Sequence, residues 1–86
     1  MSLGERLRKA RKNKNLTQLD VADKINITNY ALSGLERNYR DADEELLRKL
    51  ANLYEVSYEW LTGKSQNMID NYEDYFKKDK DSAEFI

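Results

Sequence analysis

Apolar positions recur at helical spacing almost from the first residue of this chain. Leu3, Leu7 and Ala10 repeat at i, i+4 and i+7, which predicts an amphipathic helix over residues 2–14 that ends around Asn13 and Asn15. Thr17 stands where a helix N-cap belongs, with Asp20 three residues on in capping-box position. Val21, Ala22 and Ile25 then line one side of a second helix. Asn26 follows, the residue type other than glycine that best tolerates a left-handed backbone, so a tight corner is expected there. Thr28 can cap a third helix running to about Arg37, with Leu32 and Leu35 on its inner face. After a connection from Asn38 to Ala42, Asp43 can cap a fourth helix on which Leu47, Leu50, Ala51 and Tyr54 repeat at i, i+3, i+4 and i+7. Val56 and a capping Ser57 lead into a short fifth helix that carries Trp60 and Leu61 and is closed by Gly63. No segment alternates as a strand would. The expected fold class is all-α, a compact five-helix domain over residues 1–64.

A second pattern lies beyond that domain, in residues 65–86. Between Gln66 and Lys78, the residues Met68, Ile69, Tyr72, Tyr75 and Phe76 recur at i, i+1, i+4, i+7 and i+8, one apolar stripe on a further, C-terminal amphipathic helix. A five-helix domain already has its core, so this stripe needs a surface to cover it. Three readings stay open: it joins two copies in a dimer, it folds back on its own domain, or it begins a linker to a further domain. Asp79 to Ile86 are expected to be frayed.

Composition narrows the chemistry. The 86 residues suit one domain with a modest core. There is no Cys and no His, so disulfides, thiolate metal sites, the commonest general base and the commonest transition-metal ligand are all excluded. An enzyme would have to work with Asp, Glu, Lys or Tyr in a cleft that so small a domain hardly provides, and neither cofactor nor metal is expected. No apolar run approaches 18 residues and the N-terminus lacks a signal-peptide pattern, so a cytoplasmic protein is expected.

Net charge is −1, but the charges are segregated. Residues 1–15 carry Arg6, Arg8, Lys9, Arg11, Lys12 and Lys14 against Glu5 alone, while residues 16–40 balance three bases with three acids. The excess of acids lies in residues 41–86. A phosphate-binding surface requires local positive potential, not a basic isoelectric point, and the first forty residues can supply it. Six bases on one helix are equally compatible with a solvated face.

Seven positions between Gln18 and Leu35 fit a helix-turn-helix in register. Ala22 is small where two helices cross closely, and Asn26 is permissive at the corner. Val21, Ile25, Ile27, Leu32 and Leu35 are apolar where the pair must lock onto the other helices. A plain αα-corner is the alternative reading of the same positions. Together with Leu16-Thr17-Gln18, the LSGLER stretch from Leu32 to Arg37, and LRKLANLYEVSYEWLTG from Leu47 to Gly63, the chain resembles the Cro/cI-type (Xre) helix-turn-helix family of phage and bacterial transcriptional regulators over about residues 3–63.

The resemblance implies a lambda-repressor-like DNA-binding domain that acts as a homodimer on a palindromic double-stranded operator. It implies DNA contacts from Gln18 at the start of the second helix and from Thr28, Asn29, Tyr30 and Ser33 on the third. Asn38, Tyr39 and Arg40 are implied as contacts to the DNA backbone, with Arg6 and Lys9 as weaker phosphate candidates. Arg11 and Glu36 fall at positions that often form an ion pair between the first and third helices. Asn29 has the chemistry to bond an adenine edge in bidentate fashion. Four features depart from the family pattern: Gly34 where many relatives carry a longer side chain reaching DNA, Ala42 in place of a common Pro, an apolar Leu19 at a usually polar site, and the acids Asp41, Asp43, Glu44 and Glu45 near the expected interface. Those acids either repel phosphate or favour the start of the fourth helix. A phage or mobile-element repressor is the leading functional reading. An antitoxin or a restriction–modification controller of the same fold is an alternative, and so is a helical protein-interaction module with a possible partner at the tail.

Overall fold

The computed structural model describes residues 1–69. Within them the chain forms α1 (Leu3–Asn13), α2 (Gln18–Ile25), α3 (Asn29–Glu36), α4 (Glu44–Tyr54) and α5 (Tyr58–Leu61), with no strand among the described residues. The all-α, five-helix expectation holds, and each helix start falls within a residue of its expected place. All five N-caps are short polar residues: Ser2, Thr17, Thr28, Asp43 and Ser57 each accept a hydrogen bond from the backbone N–H three residues on. Ser2–Glu5 and Thr17–Asp20 are complete capping boxes, and only the second was expected. The Thr17 backbone N–H, and then its hydroxyl, hold the Asp20 carboxyl below its ordinary range. A carboxyl with a depressed folded pKa favours the folded state above its unfolded value, and that support is lost as pH falls through the folded value.

The helix ends share one device. Asn15, Asn26, Asn38, Glu55 and Gly63 all have positive φ, between 57° and 83°. After each of them the chain donates an N–H back to a carbonyl five residues earlier. These bonds are Leu16 to Arg11, Ile27 to Ala22, Tyr39 to Gly34, Val56 to Ala51 and Lys64 to Glu59, at 2.8–3.3 Å. Left-handed closure satisfies carbonyls that a helix end would otherwise orphan. Asparagine bears it at low cost, and glycine at none, but Glu55 is a side chain that rarely adopts it.

The core is built from Leu7, Ala10, Val21, Leu32, Leu35, Leu50, Ala51, Tyr54, Trp60 and Leu61, all buried, with Leu3, Leu16, Ile25, Ile27, Leu46 and Val56 packed around it. The most extensive helix pairing is α1 against α3. Gly4 makes that approach possible. A Cβ there would collide with the carbonyl of Glu36 and would lie 2.8 Å from the Asn38 Oδ1. Two of the weaker phosphate candidates resolve differently. Arg6 donates to the Trp60 carbonyl at 2.9 Å and its guanidinium lies 5.2 Å from the centre of the Trp60 ring, so it ties α1 to α5. Lys9 stays on the exposed face of α1.

Asp43 caps α4, while Glu44 and Glu45 pair with Arg48 and Lys49 one turn on. Three of the four acids near the connection therefore serve the start of α4. After α5 the chain does not begin a sixth helix at Gln66. Residues 65–69 are irregular because Ser57 holds them: its N–H donates to the Met68 carbonyl at 2.6 Å and its hydroxyl to the Asn67 carbonyl at 2.9 Å. Met68 is half-buried against the core of its own domain, whereas Ile69 is exposed. Tyr72, Tyr75 and Phe76 lie outside the described residues.

Two substitutions test this account of the backbone in opposite directions. Gly4→Ala should lower stability by about 1–3 kcal/mol through overpacking against α3. Glu55→Gly should raise it by about 0.5–1 kcal/mol, since it relieves left-handed strain and gives up only an exposed bridge to Lys14. Urea midpoints decide both. An unmoved midpoint for Gly4→Ala, or a lower one for Glu55→Gly, contradicts the reading.

Candidate nucleic-acid interface

A buried ion pair fixes where α3 stands. Arg11, late in α1, meets Glu36, the last residue of α3, through Nε to Oε2 at 2.7 Å and Nη2 to Oε1 at 3.0 Å. Both side chains are almost wholly out of solvent, at 10% and 2% exposure, so the fork geometry is enforced and not screened. The third guanidinium nitrogen donates to the Leu16 carbonyl at 2.9 Å, and Gln18 Nε2 donates to Glu36 Oε1 at 3.1 Å. Hydrogen bonding to Glu36 raises the Arg11 pKa further, which keeps the guanidinium charged. The expected Arg11–Glu36 pair is therefore present, extended to the entry of α2.

Gln18, expected at the interface, is half-buried with its amide nitrogen given to Glu36. It borders a cavity of about 280 Å³ that is also lined by Arg8, Arg11, Glu36 and Arg37. Two of the bases there, Arg8 and Arg37, are exposed, and sequence reasoning passed over both. Arg8 precedes Arg11 by three residues and so shares its side of α1, the signal that would have found it.

On α3, Thr28 is the cap, its hydroxyl accepting from the Ala31 N–H at 3.0 Å. Asn29 and Tyr30 follow at the leading end, both exposed, and Tyr30 at 77% is among the most exposed large side chains described. Ser33 lies three residues after Tyr30 and Arg37 four beyond that, so Tyr30, Ser33 and Arg37 form one outward stripe. Leu32, Leu35 and Glu36 face inward. The stripe thus carries a neutral polar front and a basic rear.

The residues after α3 divide. Asn38 has both side-chain polar atoms engaged within the protein. Its Oδ1 accepts from the Gly4 N–H and its Nδ2 donates to Ser2 Oγ, each at 3.0 Å. It anchors the end of α3 to the start of α1, and its left-handed backbone explains why an Asn stands there. Tyr39, 74% exposed, lies under the Arg37 guanidinium at 4.8 Å. Arg40 turns back along α3, its guanidinium 5.4 Å from the centre of the Tyr30 ring. Leu19 is exposed at 67%, an apolar side chain beside the entry of α2.

Comparisons with known proteins agree with this geometry. A family model described as Helix-turn-helix matches residues 7–61. The chain is 47% identical over 78 residues to the HTH-type transcriptional regulator ImmR of Bacillus subtilis (strain 168), covering 91% of this chain and 61% of the relative. It is 37% identical over 75 residues to an uncharacterized HTH-type transcriptional regulator, YqaE, of the same organism, covering 86% of this chain and 63% of the relative. The chain thus spans less than two thirds of the length of either relative.

Loss of one partner of the buried pair should be severe. Glu36→Ala leaves the Arg11 guanidinium buried without its carboxylate and should cost about 3–5 kcal/mol of stability. Pairing Glu36→Leu with Arg11→Met should recover most of that loss, because an apolar pair of similar volume carries no desolvation penalty. Denaturant titration of the single and double variants measures both. A double variant no more stable than Glu36→Ala contradicts the assignment.

Proposed function

The chain belongs to the Cro/cI-type (Xre) helix-turn-helix family of transcriptional regulators, and from that premise we propose that it binds a specific double-stranded DNA operator by laying α3 in the major groove. The observation that carries this reading is the outward stripe of exposed Asn29 and Tyr30 and half-buried Ser33, set among the exposed bases Arg8, Arg37 and Arg40 while the inner side of the same helix is locked to α1.

In this reading Asn29 and Ser33 meet base edges, and Tyr30 meets a base or its methyl group. Phosphates flank them. One rests in the cavity between Arg8, Arg37 and the N-terminus of α2, where the Gln18 backbone N–H and the helix dipole both favour an anion. Contacts of that kind set register and orientation, and base edges set sequence. Thr28 and Asn38 act by holding α3 in place, since their side chains are already bonded inside the protein. Tyr39 contributes its exposed phenol at the rim.

The protein acts as a homodimer, two copies of α3 entering successive major grooves about 34–36 Å apart on a palindromic site. Exposed Ile69 is available to that dimer, whereas Met68 packs against its own domain. The physiological role is repression of a phage or mobile-element promoter in the bacterial cytoplasm.

Selection of sites from random duplexes, followed by footprinting, tests the proposal. The expected product is a palindrome with half-sites one helical turn apart. Asn29→Ala should weaken binding to it by about 1–3 kcal/mol and relax one base pair in each half-site. Recovery of no preferred sequence, or an unchanged preference after Asn29→Ala, contradicts it.

A further inference from the structure

Gly34 stands on the outward side of α3, one turn after Tyr30, where a side chain would project beside the DNA-facing stripe. Its place is not open space. A Cβ at Gly34 would lie 3.0 Å from Cδ and 3.1 Å from Cγ of Arg40, so the aliphatic stem of Arg40 rests on the glycine. The backbone arranges this. The Gly34 carbonyl accepts the N–H of Tyr39 at 2.8 Å and of Arg40 at 3.3 Å, and Asn38 between them and the helix is left-handed. The chain therefore reverses at the end of α3 and sends Arg40 back along the helix. Its guanidinium arrives over the Tyr30 ring, 5.4 Å from the centroid, at the leading half of α3. Tyr30, Ser33, Gly34, Arg37, Tyr39 and Arg40 together line one shallow cavity.

We propose that Arg40 is a specificity-determining residue that reads a guanine, delivered to the base edges across Gly34 in place of a long side chain on the helix itself. The proposal rests on the major-groove reading above and deepens it. A loop arginine following a helix is ordinarily a phosphate contact, since it lies behind the groove. This one is carried forward by a full helical turn and lies against an aromatic face. That contact narrows the rotamers of a flexible side chain, and Arg40 as a residue stays exposed. A planar fork held in that attitude matches the O6 and N7 acceptors of guanine. Gly34 is then explained as the floor over which the arginine crosses, an otherwise unfavourable residue within an eight-residue helix.

The test uses the operator obtained by selection with the unaltered chain. Affinities for that operator and for random duplex are measured across salt for Arg40→Ala, Arg40→Lys and Gly34→Ala, and the selection is repeated with each. Arg40→Ala should reduce the ratio of specific to random binding roughly tenfold or more and erase preference at one G·C pair per half-site. Arg40→Lys should fail to restore it, because an ammonium keeps the charge without the fork. Gly34→Ala pushes the Arg40 stem aside and should erode preference at the same base pair. Its thermal midpoint should be unchanged or higher, which separates the effect from misfolding. If Arg40→Ala weakens operator and random DNA equally and lowers the salt slope by about one, Arg40 is a phosphate contact and the inference falls while the groove reading stands. If the unaltered chain selects no sequence, the groove reading falls with it.

Discussion

The Arg11–Glu36 pair is the constraint on which the rest of the molecule turns. One guanidinium reaches the last residue of α3 with two nitrogens and the carbonyl of Leu16 with a third, and Gln18 closes on the same carboxylate. Four hydrogen bonds thereby join the first helix, the entry to the second and the exit of the third. Burial makes each of these bonds costly to leave unmade, so the arrangement has little room to drift. Its contribution is to position rather than to net stability. Apolar side chains of similar volume would hold the helices together as well, but would not fix the rotation of α3 about its own axis.

A second clamp sits on the same side of α1. Gly4, Leu7 and Arg11 share a face, and all three look towards α3. Gly4 admits the Glu36 carbonyl and gives its N–H to Asn38, while Asn38 also holds Ser2. The end of α3 is thus held by its last carboxylate and its closing residue. A surface that reads base edges must stand at a fixed height and angle, and these contacts supply that stiffness from the protein side. Asn29 and Tyr30 stand exposed on the side of α3 away from these contacts, with the Arg40 guanidinium over the Tyr30 ring.

Much of this was legible in the sequence, for reasons that differ residue by residue. Helix starts could be read because capping uses a short list of side chains at a fixed offset from the apolar repeat. Asn26 and Gly63 announced helix ends by type. Asn38 and Glu55 did not: an Asn in a polar connection has many uses, and a Glu gives no sign of a left-handed backbone. Gly34 was visible as a departure but had no evident purpose. Its partner, Arg40, is placed by a chain reversal that depends on the backbone of Asn38 and leaves no pattern of its own. Arg6 and Arg8 differ by two positions and by half a turn of helix, which is enough to send one to Trp60 and the other to the outer surface. The irregular path of residues 65–69 escaped notice because it is imposed by Ser57, a residue already accounted for as a cap.

The acidic balance of the chain and a basic side of α3 are reconciled by what the acids are bonded to. Three of the acids that follow α3 in sequence serve the start of α4, and the exposed bases Arg8, Arg37 and Arg40 stand around the outward stripe. The most direct test of the central claim is to map amide chemical-shift changes in the isotope-labelled chain as the selected operator duplex is added. Changes concentrated at Arg8, at Thr17–Gln18 and across residues 28–40, with α4 and α5 little affected, are what the account predicts. Changes centred on α4, α5 or residues 65–69, with α3 unmoved, would contradict it.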